Sequence, residues 1–585
     1  MSWVRIDQRL RYATVCACAV LSFHCAPSSG EAGPAGQVAE TSRVGDVGSI
    51  QQAGPAQSDA IRDVLKTRVE TLRRKGQLEV RGSRLASVIV LPDFYERRGF
   101  RPAWTSSTID QLFRAIAGAE ADGLDPRDYN QTLLAQLRDE VAAKRPPDSA
   151  LLADYDLLLT DALIRLGYHF MFGKVDPERI DADWNMSRQL PGFEPAVEMQ
   201  RALDANDVYG ALEREKPSHP FYTSLKRELA RYRKIESAGG WPTVPSGATL
   251  RVGSVDARVP TLKRRLLATG DLPSGTDTSS TVYDSTVAAA VRGFQARVGD
   301  DADGVFGAGT RNALNVPVRD RVQQMRLSLE RGRWVLHNLD STFVVVNVAG
   351  YSVYYVRGGS TVWRSRAVVG LPYRRTPIFR DSIKYLDFNP TWTVPPGILA
   401  RDMLPRLKRG GIRALPAGMR VLDRSGRTVN ASRINWSSYS ASKFPFTLRQ
   451  DPGPQNALGR VKFMFPNKYL VYLHDTPSRE LFDETARAFS SGCIRIERPF
   501  ELADLLLADR KWNADSTARV LATGRTRTVN LRRPVPVLLL YLTSWVDDKG
   551  SVNFRSDIYG RDTRLARALD EPFRFRSRPV VPRPR

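Results

Sequence analysis

The chain has 585 residues, too many for one ordinary domain; 42% are hydrophobic and 26% charged, which suffices for a real core and excludes a mainly disordered chain. Lys and Arg outnumber Asp and Glu by 87 to 63, a formal charge of +24, which favours anionic surroundings such as nucleic acid, a membrane surface or an acidic polymer without choosing among them. Four Cys and five His exclude a disulfide-rich scaffold and argue against a large zinc array.

Residues 1–25 read as an export signal. Arg5, Arg9 and Arg11 form a positive start, and Ala13 to Phe23 is an apolar run of signal length, too short to span a bilayer comfortably. The bulky Phe23 and His24 precede Cys25 where a lipidation signal wants small residues, which argues against a lipid anchor. Cys16, Cys18 and Cys25 all lie in or beside the signal, so cleavage beyond Cys25 leaves a mature chain with one thiol, Cys493. In an oxidising compartment an unpaired thiol is either buried and inert or kept for its chemistry.

Residues 26–58, rich in Gly, Ala, Pro, Ser and Gln with no apolar period, read as a tether. Order is expected from near Ala60, and residues 60–250 read as a helical domain. Leu159, Leu163, Leu166 and Phe170 share one helix face that Gly173 can end, with Pro177 beyond. His169 lies beside this stripe and reads as a structural histidine, because no metal-spaced partner follows; His219 has still less support. Residues 255–316 form a compact unit in which Val259, Leu262 and Leu266 share one face and Val287, Val291 and Phe294 another. A Gly-punctuated turn over 301–315 follows, with Thr310 placed to open a short last helix.

From 343 the period changes to strand. FVVVNVAGYSVYYV reads as a hairpin turning at Ala349-Gly350, WRSRAVVG continues the sheet, and KYLVYLHD (468–475) reads as a further strand. The stretch 392–452, basic and rich in Pro and Gly with a helical run around Leu399–Leu407, reads as a cap inserted into the β domain of 342–530. Residues 531–562 return to strand patterning, and 563–585 form a basic, solvated tail.

The chemistry concentrates in residues 471–497. His474 ends an apolar strand and Cys493 follows 19 residues later within Ser490-Ser491-Gly492-Cys493. A thiol needs a base or a positive charge nearby before it is a nucleophile. Gly492 allows close approach of the backbone to a reacting carbonyl, so that the N–H groups of Gly492 and Cys493 can form an oxyanion hole. If Cys493 to Ile496 is extended, Cys493 and Arg495 share a face while the two Ile pack behind. Arg495 then faces the thiolate or a substrate carboxylate. The competing reading makes Cys493 a small buried hydrophobe, Arg495 a partner of Glu497 or Glu501, and Ser490 and Ser491 turn residues.

Two resemblances bear on these choices. The GFQ at 293–295 and the DGVFGAGT at 303–310 resemble a peptidoglycan-binding domain, although the loop LPSGTDTSSTVY departs from that family's usual first turn. His474 followed by Ser490-Ser491-Gly492-Cys493-Ile494-Arg495 matches the pattern of a His, about 14–19 residues, then Ser/Thr-x-Gly-Cys-x-Arg. With SRAVVGLPYRRTPIF, FNPTWTVPPGIL (388–399), NALGRVKFMFPN (456–467) and LYLTSWVDDKGSVNFRSDIYGRD in order, the chain resembles an L,D-transpeptidase of the YkuD fold, of the large multidomain type. That resemblance implies a mainly helical scaffold domain, a small three-helix peptidoglycan-binding domain and a β-rich YkuD catalytic domain with an inserted helical cap. Many small members carry His where this chain has Ser491; the large branch commonly has Ser.

The same resemblance implies roles. Cys493 is the nucleophile and His474 its general base, with Asp475 holding the imidazole through its main-chain carbonyl. Gly492 and Cys493 supply oxyanion donors with Ser491 in support, and Arg495, Tyr472 and Trp392 line the substrate. The implied reaction is a 3→3 cross-link between peptidoglycan tetrapeptide stems through a thioester, with no metal or cofactor, carbapenems as acylating inhibitors, and a place in the periplasm or cell envelope. Membrane contact is expected only if the signal is uncleaved or lipidated. The alternatives are L,D-carboxypeptidase activity, attachment of D-amino acids or a lipoprotein, or a non-catalytic wall-binding scaffold. Nucleic-acid binding has no supporting motif.

Overall fold

A short helix-ending glycine and a long, almost wholly buried helix organise the N-terminal half. The computed structural model describes residues 55–573 except 145, 182–183, 187–191 and 509–510. The signal, most of the tether and residues 574–585 lie outside them. The elements in order are α1 (Pro55–Lys75), a two-stranded hairpin of β1 (Glu79–Val80) and β2 (Ser83–Arg84), α2 (Val90–Arg97), α3 (Ser106–Gly118), α4 (Gln131–Ala143) and α5 (Ser149–Phe172). The short α6 (Pro177–Ile180) and α7 (Pro195–Asp204), α8 (Val208–Arg214) and α9 (Pro220–Ser237) complete the series. Helix α1 starts at Pro55, so the end of the expected tether is already helical.

Helix α5 carries the expected apolar face but is buried nearly all round, so its polar residues must find partners inside. Asp161 accepts from the Ala86 and Ser87 N–H groups at 2.8 Å each, Asp156 accepts from the Tyr95 hydroxyl at 2.6 Å and the Ala103 N–H at 2.9 Å, and Trp104 Nε1 donates to Thr160. These bonds fix the aromatic connections around the helix. His169 lies fully buried with Nδ1 3.0 Å from the Tyr129 hydroxyl, as a structural histidine should, and His219 Nδ1 caps α9 by accepting from the Phe221 N–H. Gly173, at φ +80°, ends α5.

The small module holds α10 (Val259–Thr269), α11 (Ser285–Val298) and α12 (Ala308–Leu314) around a core of Val259, Leu262, Leu266, Val287, Val291 and Phe294. Its two sequence motifs form one hydrogen-bonded knot. Gln295 Nε2 donates to Asp303 Oδ1, Val305 O and Thr310 Oγ1, while its Oε1 accepts from the Gly304 N–H at 2.8 Å. Thr310 does not open α12 as expected; Gly307 stands at the N-cap and Thr310 lies inside the helix, its hydroxyl drawn inward to Gln295.

Helical packing on the N-terminal half resumes after the module. After the module, α13 (Val318–Val335) returns to pack on α9, with Tyr222, Leu225, Leu229 and Tyr232 meeting Val322, Met325 and Leu329. Arg333, fully buried, donates to Asp122 O, Tyr222 and Glu330, and Glu330 accepts from the Val175 N–H, locking α13 beside the end of α5. Periodicity cannot reveal such a return, because the contact partners lie on either side of a separate domain.

The β domain runs β3 (Phe343–Asn347), β4 (Ser352–Arg357), β5 (Ser360–Gly370) and β6 (Phe379–Phe388), then, after the insert, β10 (Val461–Met464), β11 (Leu473–His474), β12 (Ala488–Ser490), β13 (Ile494–Ile496), α16 (Pro499–Leu507), α17 (Ala514–Ala522) and β14 (Arg527–Leu540). The strand order is β12-β5-β13-β11-β10-β6-β14-β3-β4, and β4 also pairs with β5, so the sheet closes on itself. β3 and β4 form the expected hairpin. The strand expected over 468–475 shrinks to Leu473–His474. Residues before it form a loop in which Asn467 Oδ1 accepts from the Tyr469 and Val471 N–H groups and its Nδ2 donates to Phe465 O and Val471 O.

The insert between β6 and β10 enlarges the turn of an antiparallel pair in which Val461 opposes Phe388, and the Asn389 N–H donates to Arg460 O at its stem. It holds β7 (Trp392–Thr393), α14 (Pro396–Ile398), a π-turn at Leu399–Met403, α15 (Leu404–Gly410), β8 (Met419–Leu422) and β9 (Thr447–Gln450). Besides the expected helices it therefore has a three-stranded sheet, in the order β7-β9-β8. Trp436, Phe444 and Phe446 pack together within it.

The C-terminal boundaries also move. β14 spans the expected break at 530/531 and pairs with β6 and β3, so the barrel extends to Leu540. β15 (Ser544–Val546) and β16 (Val552–Phe554) form a hairpin, and α18 (Arg561–Asp570) occupies the start of the expected tail, its Leu565 and Leu569 buried and its Asp562 paired with Arg331. Among the described residues, no helix is long and apolar enough to cross a membrane.

Candidate active site

Register decides which side chains meet. β11 runs parallel to β13 with Leu473 opposite Ile494 and His474 opposite Arg495, so Tyr472 lies opposite Cys493. On the other side of β11, His474 opposes Lys462 of β10, which opposes Asp387 of β6. Paired residues project to the same face of a sheet. Cys493, Arg495, Tyr472, His474 and Lys462 therefore share one face, while Leu473, Ile494, Ile496 and Phe463 fill the opposite one and are fully buried. The alternation expected from Cys493 to Ile496 is realised.

His474 is buried, and its Nδ1 donates to the Asp475 main-chain carbonyl at 2.5 Å. That bond fixes the tautomer and leaves Nε2 as the basic nitrogen. Burial of the ring, reinforced by the charges of Arg495 and Lys462, pulls its pKa down to about 3. The Asp475 carboxylate is used elsewhere: it accepts from the Arg460 N–H at 2.9 Å and from Arg479 at 3.2 Å, and burial pushes its pKa up. Gly459, at φ +62°, lies against it; a Cβ there would come within 2.5 Å of the Asp475 side chain.

Cys493 is half-buried. Its Sγ lies 3.8 Å from the Leu470 carbonyl, and Tyr472, opposite it in the register, is its neighbour on the sheet face. Burial pushes the thiol pKa up against the lowering influence of Tyr472, Lys462 and Arg495. No hydrogen bond joins Sγ to the His474 ring among the described residues. The register explains the gap: His474 sits two residues beyond the partner of Cys493, an offset of ~6.6 Å along the strand and ~4.8 Å across it. Side-chain rotation spans that offset, but the resting contact of the sulfur is the Leu470 carbonyl.

The backbone of the nucleophile turn is tightly held. Gly492 has φ +121°, a conformation that L side chains rarely adopt. Its N–H donates to Ser490 Oγ at 3.0 Å, Ser490 Oγ donates to Cys493 O at 2.6 Å, and its carbonyl accepts from Thr376 Oγ1 at 2.9 Å. The Gly492 N–H expected in the oxyanion hole is thus engaged within the turn. The Cys493 N–H makes no hydrogen bond among the described residues and remains the available donor.

Arg495 pairs with neither of the expected acids. Glu497 is taken by Arg366, and Glu501 by Arg498 and Trp363. The Arg495 Nε is buried without a partner. A guanidinium left in this state beside a nucleophile suits an incoming carboxylate. Trp392 and Tyr472 are mostly buried and tied to each other, so they wall the site rather than lie open in it.

Several residues at the site had no assigned role in the sequence reading. Thr376 bridges the Gly370 N–H and the Gly492 carbonyl, and Tyr559 donates to Gly370 O while accepting from the Thr376 N–H. Arg374 donates to Ser491 Oγ at 2.9 Å and forms a two-pronged ion pair with Asp402 of the insert, at 2.6 and 2.8 Å. The insert is thereby tied to the nucleophile turn. Both segments stood in the motif runs quoted above; their signal was present, but the pairings join residues far apart in sequence. Asp402→Ala is expected to free the insert, seen as faster amide exchange over 399–410 with little change over β13.

The exposed apolar side chains Tyr373, Leu470 and Phe489 belong to the segments that frame the thiol. Leu470 adopts φ +56°, which turns its carbonyl to the sulfur. No group of three or more His, Cys, Asp or Glu arranged for a metal occurs among the described residues.

Comparison with known proteins accounts for most of the chain. Residues 90–229 match the scaffold domain model, 255–314 a domain provisionally described as peptidoglycan binding, and 341–537 the L,D-transpeptidase catalytic domain, YkuD. A Haemophilus influenzae protein named provisionally as an L,D-transpeptidase is 36% identical over 222 residues, 38% of this chain and 45% of that relative's length. Among solved structures, an L,D-transpeptidase from Xylanimonas cellulosilytica (residues 123-326) is 16% identical, covering 51% of this chain and 99% of its own, with a TM-score of 0.18. A fused zinc-dependent amidase/peptidase and peptidoglycan-binding domain protein from Clostridium acetobutylicum is 11% identical, covering 50% of this chain and all of its own, with a TM-score of 0.14. Scores this low do not establish a shared arrangement.

Proposed function

Because this chain belongs to the L,D-transpeptidases of the YkuD type, with a scaffold domain and a peptidoglycan-binding module in the same polypeptide, we propose that it forms 3→3 cross-links in peptidoglycan. The Cys493 thiolate attacks the carbonyl of the diaminopimelate residue in a tetrapeptide stem, at its bond to the terminal D-Ala. The C–N bond breaks, D-Ala leaves with a proton, and a thioester forms. The side-chain amine of a second stem's diaminopimelate then attacks the thioester, and the thiol is regenerated.

His474 takes the proton from the thiol and returns it to the leaving amine. The Cys493 N–H faces the developing oxyanion, with Ser491 beside it. Arg495 holds a stem carboxylate, and Tyr472 and Trp392 wall the donor site. Asp475 acts through its carbonyl, keeping the imidazole in the tautomer the reaction needs. The observation that carries this reading is the common sheet face of Cys493, His474 and Arg495, whose Nε is buried without a hydrogen-bond partner.

The binding module raises the effective concentration of wall polymer around the site. An export signal over 1–25 and a tether ahead of α1 support a location in the periplasm or cell envelope, and carbapenems are expected to acylate the same thiol. Purified protein incubated with tetrapeptide muropeptides is expected to release D-Ala and give 3→3 dimers. Accumulation of tripeptides alone would mean that water is the acceptor, making the protein an L,D-carboxypeptidase; no product of either kind would leave a wall-binding scaffold.

A further inference from the structure

Lys462 stands where the reaction described above assigns no residue. It is half-buried on β10, directly opposite His474, and its Nζ lies 4.1 Å from the centre of the Tyr472 ring. Tyr472 in turn is opposite Cys493 on the same sheet face. Lys462 forms no ion pair among the described residues; its neighbour Asp387 accepts from Thr528 Oγ1 at 2.6 Å instead. A half-buried ammonium resting on an aromatic face gains cation–π attraction, and Asp387 acts on it through space without a direct ion pair.

The other charged and titratable groups around the sulfur sharpen the point. From β11 come Tyr472 and His474, from β13 Arg495, from β6 Asp387, and from the turn after β11 Glu480, which acts on Arg495. Burial and the flanking cations keep the imidazole neutral, so no imidazolium balances a thiolate at rest. The negative charge that the site lacks is the one the sulfur acquires on ionisation. Burial lowers the Lys462 pKa, and the nearby Cys493 and Asp387 charges draw it back up.

We propose that Lys462 is a positioning residue for the nucleophile: its ammonium, seated on the Tyr472 ring, supplies the counter-charge of the Cys493 thiolate. The inference rests on the reading of Cys493 as the nucleophile and deepens it. Thiolate formation is separable from acyl transfer, so the test reads ionisation directly. Iodoacetamide alkylation of Cys493 in the full-length protein is followed from pH 6 to 10 by peptide-mapping mass spectrometry, for the unmodified protein, Lys462→Met, Lys462→Gln and Lys462→Arg.

Both neutral variants are expected to shift the alkylation midpoint upward by about one pH unit, making alkylation at pH 7.5 about tenfold slower. Lys462→Arg is expected to restore most of the rate, with melting temperatures used to confirm that the variants remain folded. Superimposable profiles for the unmodified protein and a folded neutral variant would overturn the proposal, as would an Arg variant as impaired as the Met variant. A shifted midpoint in a protein that makes no cross-links would uphold the role of Lys462 and sink the cross-linking function instead.

Discussion

Cys493→Ala is expected to abolish both D-Ala release and cross-linked product, a fall of ~10⁴-fold or more, while the protein melts close to the unmodified temperature. The size follows from chemistry: without the sulfur no thioester forms, and no other described thiol shares the sheet face with His474. Stability is spared because the side chain is small and half-buried, and its hydrogen bond to the Leu470 carbonyl is weak. Quantifying D-Ala and muropeptides over a long incubation checks this. Residual turnover near the unmodified rate would remove Cys493 from the mechanism.

His474→Gln is expected to slow acylation ~10²- to 10⁴-fold, because the amide can still bond the Asp475 carbonyl but takes no proton. The pH dependence separates the roles of the two groups. With its pKa drawn down to about 3, the imidazole is already an unprotonated base throughout the range from pH 5 to 9. The acylation rate of the unmodified protein should therefore stay level from pH 5 upward, with no break near the ordinary histidine value of 6.5, until the thiol, which burial pushes up, itself ionises. Stopped-flow acylation across that range measures it. Stability follows the same ionisation: below pH 6.5 the unfolded ring takes a proton that the folded ring refuses, so the fold loses stability as pH falls from 6.5 toward about 3. Replacing His474 with Gln flattens that acid side.

How much of this was legible beforehand depended on the range of the interaction. The α5 stripe, the β3–β4 hairpin and the alternation of Cys493 with Arg495 are local periodicities and survive intact. The two module motifs were legible as a pair, and Gln295 supplies the physical reason: one side-chain amide bonds both. Long-range closure was not legible. The return of α13 onto α9 by apolar packing, and the brace of Thr376 and Tyr559 behind Gly492 and the Arg374–Asp402 tie to the insert by individual hydrogen bonds, all join distant segments. Strand length was misjudged before His474 because Asn467 captures the backbone in a side-chain-bonded loop, which β propensity does not register. The same accounting moved the oxyanion donor. The flexibility of Gly492 suggests an oxyanion donor, yet the turn that needs its φ of +121° also spends its N–H on Ser490.

The most direct measurement is intact-mass spectrometry of the purified protein after incubation with a carbapenem, followed by peptide mapping. One covalent adduct, located on Cys493 and missing from Cys493→Ala, is the predicted result. A folded protein that acquires no adduct, or carries it on another residue, would contradict the assignment of the reactive sulfur.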